Sequence, residues 1–302
     1  MPERIRAVID TDPGIDDAVA ILFALESGLF DIRGLTTVAG NLGIATTTRN
    51  AGRLLAFAGC AGVPVVPGAE RPLVRKPVEI SDIHGDDGVG GVGFPEPAEP
   101  PRPQGAVEWL ARLLETEPEG SVTILALGPL TNIARLVAEH PIAARRVGAV
   151  IAMGGAVHEP GNMGPRAEFN FFADPEAAAA VFAAGLPLVV VPLDVTRKVR
   201  ATRDYCARLR EAGPAAGKCA ELIEAYFHTT AGRESRPLHD PCVMLFAARP
   251  DLFAVETLRL SIDTTDGPDA GAMVLGDGVA VRVAMKVDGA AALELLARGM
   301  KA

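Results

Sequence analysis

Through the first two-thirds of the chain, short β-branched runs alternate with Ala/Leu-rich stretches that carry the repeat of a helix. Arg6-Ala-Val-Ile-Asp10 reads as a buried strand, and Asp16 to Glu26 as a helix that begins in carboxylates. Ile32 to Val38 predicts a second strand, followed by a helix from about Ala45 to Ala58. Further strands are expected at Val122 to Leu127, Val147 to Met153 and Leu188 to Pro192, with helices at Ala106 to Glu115, Thr131 to His140 and Pro175 to Ala184. Strand, helix, strand in strict succession implies right-handed crossovers and a mainly parallel sheet covered on both faces.

From Arg203 to Arg249 the pattern turns mostly helical. Hairpin-like segments at Leu258 to Asp263 and Val279 to Val287, then a last helix, follow. Pro95 to Pro103 is rich in proline and acid and reads as a surface loop rather than a linker. The expected fold is α/β: a mainly parallel open sheet flanked by helices, with a helical elaboration towards the C-terminus, as one domain over residues 1–302. In such sheets, ligands bind beyond the carboxyl ends of the strands. The residues there are unusually polar: Asp10 and Asp12, Asn41, and Gly154-Gly155 onward.

Composition narrows the choice. With 49% hydrophobic and 22% charged residues the chain can build a core. A net charge of -9 argues against nucleic acid or an anionic membrane as the partner. Cys60, Cys206, Cys219 and Cys242 are far apart, with no CxxC pair, as reduced thiols of a cytoplasmic protein would be. No targeting segment or membrane span is expected.

Asp10, Asp12, Asp16 and Asp17 fall within eight positions, between a strand exit and a helix entry. Capping accounts for one or two of them. Four converging carboxylates repel one another, and a hard cation such as calcium or magnesium offsets that most simply. The segment is not an EF-hand loop, because the twelfth position counted from Asp10 is Ile21 rather than glutamate. An aspartyl-phosphate phosphatase, with Asp10 as nucleophile, stays open on this segment alone.

Three other clusters carry candidate chemistry. Asn162, Glu168 and Asn170 sit on a loop rich in glycine and proline and suit a vicinal diol and a primary hydroxyl. His239-Asp240 adds an imidazole and a distant carboxylate, although Asp240 could simply cap the helix after Pro241. Thr131 or Asn132 could likewise cap the helix after Leu127-Gly-Pro-Leu, and Asp174 the one that starts at Pro175. His84-Gly-Asp-Asp-Gly reads as a flexible lid or solvated loop, and Trp109 as core packing. Tyr226 and His228 precede a glycine-containing segment, Ala231 to Pro237.

In this order and spacing the motifs resemble the inosine-uridine-preferring nucleoside hydrolase family. The likeness runs from Asp10-Thr-Asp-Pro-Gly-Ile-Asp-Asp-Ala through Thr37-Val-Ala-Gly-Asn41, His84-Gly and Gly128-Pro-Leu-Thr-Asn. It continues through Met153-Gly-Gly, Gly161-Asn…Ala-Glu168-Phe-Asn170 and Ala173-Asp-Pro-Glu-Ala to Leu238-His-Asp-Pro. The resemblance implies hydrolysis of a ribonucleoside to ribose and base, with Ca2+ held by Asp12, Asp17, the Leu127 carbonyl and Asp240. It gives Asp12 to the attacking water as general base, and Asn41 to that water or the ribose. Asp16 and Asn170 then take the ribose diol edge, Asn162 and Glu168 the 5′-hydroxyl end, and His239 the leaving base, with Asp10 behind them. Met153, His84, Tyr226 and His228 complete the substrate pocket. A histidine in the His-Asp motif resembles the branch that prefers pyrimidines or inosine and uridine. Met163 and Arg166 depart from the family loop and put the pocket shape in doubt. The resemblance also implies a homodimer or homotetramer.

These roles are chemically coherent. Breaking the C1′–N bond develops oxocarbenium charge that carboxylates stabilise. The leaving base needs a proton or a hydrogen bond, which an imidazole can give. A calcium-dependent nucleoside sensor without catalysis is the rival from another class; it has no need of a base opposite a donor. Phosphatase chemistry leaves Glu168, Asn170 and His239 without a task.

Overall fold

A computed structural model describes residues 4–78, 81–229 and 235–300. Its strands are β1 (Ile5–Thr11), β2 (Phe30–Thr37), β3 (Val65–Pro67), β4 (Thr123–Ala126), β5 (Ala149–Met153) and β6 (Leu188–Val191). They continue with β7 (Arg200–Thr202), β8 (Ser235–Pro237), β9 (Phe253–Ile262), β10 (Met273–Leu275) and β11 (Val279–Val287). One sheet takes them in the order β10-β9-β11-β6-β5-β4-β1-β2-β3. Every pair from β3 across to β11 is parallel, and β9 and β10 close that edge antiparallel. The chain starts in the middle of the sheet, winds outward to β3, then returns to β4 on the other side of β1. The strand order therefore reverses between β1 and β4, and a crevice opens there at their carboxyl ends.

Alternation along the strands sorts side chains onto two cores. Ala7, Ile9, Leu125, Ile151, Val189 and Val191 face one layer, which includes the helices Ile15–Glu26, Pro214–Thr229, Pro241–Ala248 and Gly289–Gly299. Val8, Ile124, Ala126, Val150 and Val190 face the other, covered by Ala106–Thr116, Thr131–Glu139 and Pro175–Ala183. The same period of two aims the polar end of β1. Thr11, in step with Ile9, donates to Asp17 Oδ1 at 2.6 Å on the first layer. Asp10, in step with Val8, accepts from Asn132 Nδ2 at 2.8 Å on the second.

The Ile15–Glu26 helix is apolar nearly all round and buried from Ile15 to Ala24, as a helix without a polar face must be. Each large side chain it buries contributes roughly 1.5–3 kcal/mol. That anchorage fixes its first turn, where Asp16 and Asp17 stand.

Several expectations need correction. β3 is three residues long and carries no readable pattern. β9 begins at Phe253 rather than Leu258, because its first half exposes Ala254, Glu256 and Thr257 and so lacks a clear run of apolar alternation. β9 and β11 do pair antiparallel, as their hairpin-like pattern suggests, and β11 also pairs with β6, so that they extend the main sheet. The helical elaboration is real, but β7 and β8 pair antiparallel at its base. Asp174 caps its helix as expected, accepting from Ala177 N at 3.1 Å. Thr131 and Asn132 do not cap: Thr131 binds Asp174, and Asn132 ties Asp10 to the Thr37 carbonyl and the Ala69 amide. Trp109 packs its ring edge on Gly34, away from the crevice. No described helix is long and apolar enough to cross a membrane.

Candidate active site

A cavity of about 350 Å³ lies at the switch point. Asp16, Asn41, the Leu127 backbone and Asp240 form its floor, and Met153, Asn162, Glu168 and Asn170 one wall. His84, Tyr226 and His239 stand at the far end with Arg197, Arg200 and Arg236. Asp12 and Asp17 lie under the floor, fully buried. His228 is in the Pro214–Thr229 helix, but its side chain lies outside the described residues, as does the segment 230–234.

The floor concentrates negative charge. Asp16, Asp17 and Asp240 each bring a carboxylate oxygen within 4.8 Å of the others, although they come from places more than 220 residues apart. Asn41 knits the floor together: its amide N donates to Asp12 Oδ2 at 2.7 Å, and its Nδ2 donates to the Asp12 carbonyl and to Asp17 Oδ2, both at 3.1 Å. Asp17 also accepts from Gly14 N at 3.0 Å, so it caps its helix while facing the cluster. Gly40 and Gly128 flank the Asp12 carboxylate so closely that a Cβ on either would run into it. Burial, then the charges of Asp17 and Asp16, hold the Asp12 carboxyl well above the usual range. Burial and the neighbouring Asp16, Asp17 and Asp12 do the same to Asp240. Burial, then Asp16, raises Asp17 against the pull of Thr11 and Gly14. Asp10 is pushed up to about 6 by burial, against its bonds from Thr36 and Asn132.

Such a set is costly without positive charge. Asp12 Oδ1 is buried with no hydrogen-bond partner among the described residues, and all the acidic donors are hard oxygens. The residues therefore fit a divalent cation of the calcium or magnesium type. The carboxylates that converge include Asp16, whereas the resemblance implied Asp12, Asp17 and Asp240 with the Leu127 carbonyl. That carbonyl accepts from Asn170 Nδ2 at 2.6 Å and keeps a second lone pair. Asp240 makes no side-chain cap bond to its helix, so its carboxylate is not spent on capping.

The wall presents hydrogen-bonding groups to the cavity. Glu168 N-caps a short helix, Phe169–Ala173, taking Asn170 N at 2.9 Å and Gly155 N at 3.1 Å on Oε2. Burial pushes its carboxyl up to about 7, against these amides. Asn170 Nδ2 is pinned between the Leu127 and Met153 carbonyls, which leaves its Oδ1 as an acceptor. Asn162 is exposed on its loop at the cavity mouth. Met163 and Arg166 do not line the cavity; Arg166 instead donates to the Met273 carbonyl.

The far end corrects one expectation outright. His84 is buried, not on a solvated loop: it ends a short helix, Ser81–His84, and its Nδ1 accepts from Ile15 N at 3.1 Å. Its ring meets Tyr226 edge to face at 5.7 Å, and burial lowers its pKa. Tyr226 donates its hydroxyl to Asp16 Oδ1 at 2.9 Å, so it touches the floor. His239 sits 2.8 Å from Thr196 Oγ1 through Nδ1, and burial lowers its pKa. The three arginines and Thr196 escaped sequence reasoning. The strand-end rule applied to β6 was the signal that could have found Thr196 and Arg197.

Buried carboxylates beyond what capping needs, at the switch point of a parallel sheet, mark a candidate cation-binding site at the place where such folds take ligands. Comparison with known proteins is specific. The family model described as inosine-uridine preferring nucleoside hydrolase matches residues 7–294. The chain is 39% identical over 273 residues to the pyrimidine-specific ribonucleoside hydrolase RihA of Photobacterium profundum, covering 89% of this chain and 87% of that protein. It is 38% identical to the non-specific ribonucleoside hydrolase RihC of Escherichia fergusonii, over 94% of both chains. Among solved structures, a plant nucleoside hydrolase superposes with a TM-score of 0.92 at 32% identity, over 99% of this chain and 100% of that one. A purine-preferring ribonucleoside hydrolase from Gardnerella vaginalis superposes with a TM-score of 0.90 at 27% identity, over 98% of each. The chain belongs to the inosine-uridine preferring nucleoside hydrolase family and is an N-ribosyl hydrolase acting on ribonucleosides.

Proposed function

We propose that this hydrolysis depends on calcium, runs through the residues of the cavity floor and wall, and prefers inosine and uridine or pyrimidine nucleosides. The carrying observation is the convergence of Asp16, Asp17 and Asp240 beside the partnerless Asp12 Oδ1, in one cavity with Glu168 and Asn170. Asp12, Asp17, Asp240 and the Leu127 carbonyl would hold the ion. When bound, it supplies charge that offsets the cluster and helps acidify the attacking water.

The chain's own groups do the rest. Asp12, raised by burial and by its neighbours, takes the water proton as the oxygen attacks C1′ and the C1′–N bond breaks. Asp16, Asn41 and Asn170 hold the diol edge, and Glu168 with Asn162 the 5′-hydroxyl. The floor carboxylates stabilise the positive charge that develops on the ribose. His239 donates a hydrogen bond to the base as it leaves with the bonding electrons. Met153, His84, Tyr226 and His228 belong to the same pocket in this reading. Asp10 does not line the cavity and is tied down by Thr36 and Asn132, which argues against a phosphatase nucleophile.

The base preference rests on His239, since the relatives span pyrimidine-specific, non-specific and purine-preferring enzymes. A continuous sheet drawing strands from both ends of the chain supports one domain over 1–302. Free cysteines support a cytoplasmic setting. Exposed Leu275 and Val279 beside the sheet edge support a homodimer or homotetramer, which light scattering would measure. A reducing-sugar assay over inosine, uridine, cytidine and adenosine tests the function, with chelator and then with calcium restored. Full activity in chelator overturns the metal dependence, and no ribose from any of the four overturns the hydrolase.

A further inference from the structure

The turn that follows β6 reaches both ends of the cavity. Asp194, buried there, accepts the backbone amides of Val157 and His158 at 2.8 Å and of Glu159 at 3.3 Å. Arg197 donates to Glu159 Oε2 at 3.2 Å and to the carbonyls of Pro160 at 2.7 Å and Gly161 at 3.2 Å. Together they fasten the loop that leads into Asn162. Between them stands Thr196, fully buried, whose Oγ1 lies 2.8 Å from His239 Nδ1.

That contact is the only hydrogen bond of the Thr196 hydroxyl among the described residues. If Nδ1 carried the hydrogen, the hydroxyl hydrogen would be left buried without an acceptor, which is unfavourable. With the hydroxyl donating to Nδ1, both groups are satisfied, and the ring hydrogen must sit on Nε2. His84 is locked in the same sense from elsewhere in the fold, because its Nδ1 accepts the Ile15 amide.

We infer that Thr196 is a positioning residue for the leaving base: its hydroxyl holds His239 as the Nε2–H tautomer and keeps Nε2 available to the cavity as a hydrogen-bond donor. The inference rests on the hydrolase reading. Thr196 itself touches no reacting atom. It acts where the departing base must be stabilised and drops out where the leaving group needs no help.

Thr196→Val keeps the buried shape and removes the donor. Against wild type, it is expected to lower kcat/KM for uridine and inosine by about 10- to 100-fold, within the range of a positioned acid–base contact. For a 4-nitrophenyl riboside, whose leaving group is already stable, the loss should stay below about threefold. Thr196→Ser restores the hydroxyl and should return most of the uridine activity. Nitrogen-15 NMR of the histidine rings should show the hydrogen of His239 on Nε2 in wild type, and a mixture of tautomers in Thr196→Val. Equal losses on both substrates, an inert Val substitution, a Ser variant no better than Val, or an Nδ1–H tautomer in wild type each overturns the inference. Sugar release by wild type from the activated riboside is the control. Its absence would overturn the hydrolase reading itself rather than the role of Thr196.

Discussion

The floor of the cavity and its far end solve different problems with different parts. The floor joins residues at the ends of central strands to the first turn of an entirely buried helix and to Asp240 at the start of another, and Asn41 cross-links Asp12 with Asp17. The far end is assembled from the Ser81–His84 turn, the Pro214–Thr229 helix and the turn after β6, which the sheet positions only indirectly. A ribose ring is common to all ribonucleosides, so a rigid floor can serve every substrate. The base varies, and the far end, to which the proposed reading assigns it, is built on elements that can vary without disturbing the sheet. The relatives fit this division, since they share the fold while their names record different base preferences.

The largest effect should come from the floor. Asp12→Asn keeps the shape between Gly40 and Gly128 but removes the proposed proton acceptor. It should lower kcat by about a thousandfold, a value typical of a lost general base. The loss should be similar for uridine and for a 4-nitrophenyl riboside, because attack on C1′ is common to both. Steady-state kinetics on the two substrates checks this, and a loss confined to uridine would erase the contrast between the two regions. His239→Ala is the counterpart at the far end. It should cost about a hundredfold on uridine or inosine and less than about threefold on the activated riboside. Comparable losses on both would place His239 with the floor.

The floor also predicts how stability responds to pH. Glu168 and Asp10, with folded values of about 7 and about 6, bind protons more tightly folded than unfolded, as do Asp12, Asp17 and Asp240. Their contribution is fully present below the ordinary carboxylate range and is lost as pH rises through the folded values. In chelator, the protein should therefore melt at a higher temperature at about pH 5 than at about pH 8. Glu168 alone accounts for roughly 3 kcal/mol of that difference. Excess calcium should flatten the part due to the aspartates. Thermal unfolding in chelator that strengthens steadily towards alkaline pH would contradict the buried-carboxylate account.

The division also explains what the sequence disclosed. The acidic segment was legible because density betrays it: four aspartates in eight positions cannot all be caps, and the strand-end rule points at them, whereas the distant Asp240 joined them only through the resemblance. Asp174 was legible because Asp-Pro is a local signal. The resemblance put His84 in the pocket, but its burial was not legible, because the glycines around it read as mobility while that burial depends on Ile15 and Tyr226 at distances no local pattern records. Thr196 and the arginines at the far end look like ordinary turn and surface residues until the pairing of β7 with β8 brings the two segments together. β3 and the first half of β9 failed for a simpler reason: one is too short and the other too exposed to show alternation.

Tyr226 is the residue whose allegiance the comparison leaves to experiment, and it carries the smallest predicted effect. By position it belongs to the far end, on the helix that precedes the segment 230–234. By contact it belongs to the floor, since its hydroxyl donates to Asp16 Oδ1. A carboxylate offers about four lone-pair sites, so one donor fixes Asp16 without exhausting it for a ribose hydroxyl. Removing that donor in Tyr226→Phe should let Asp16 rotate and weaken the grip on the diol. KM should then rise by about three- to tenfold, the scale of one hydrogen bond, with kcat nearly unchanged. Because the diol is common to all substrates, the factor should be the same for uridine, cytidine and inosine. A factor that differs between bases would assign Tyr226 to base recognition, and a fall in KM would mean that its hydroxyl competes with ribose for Asp16 rather than orienting it.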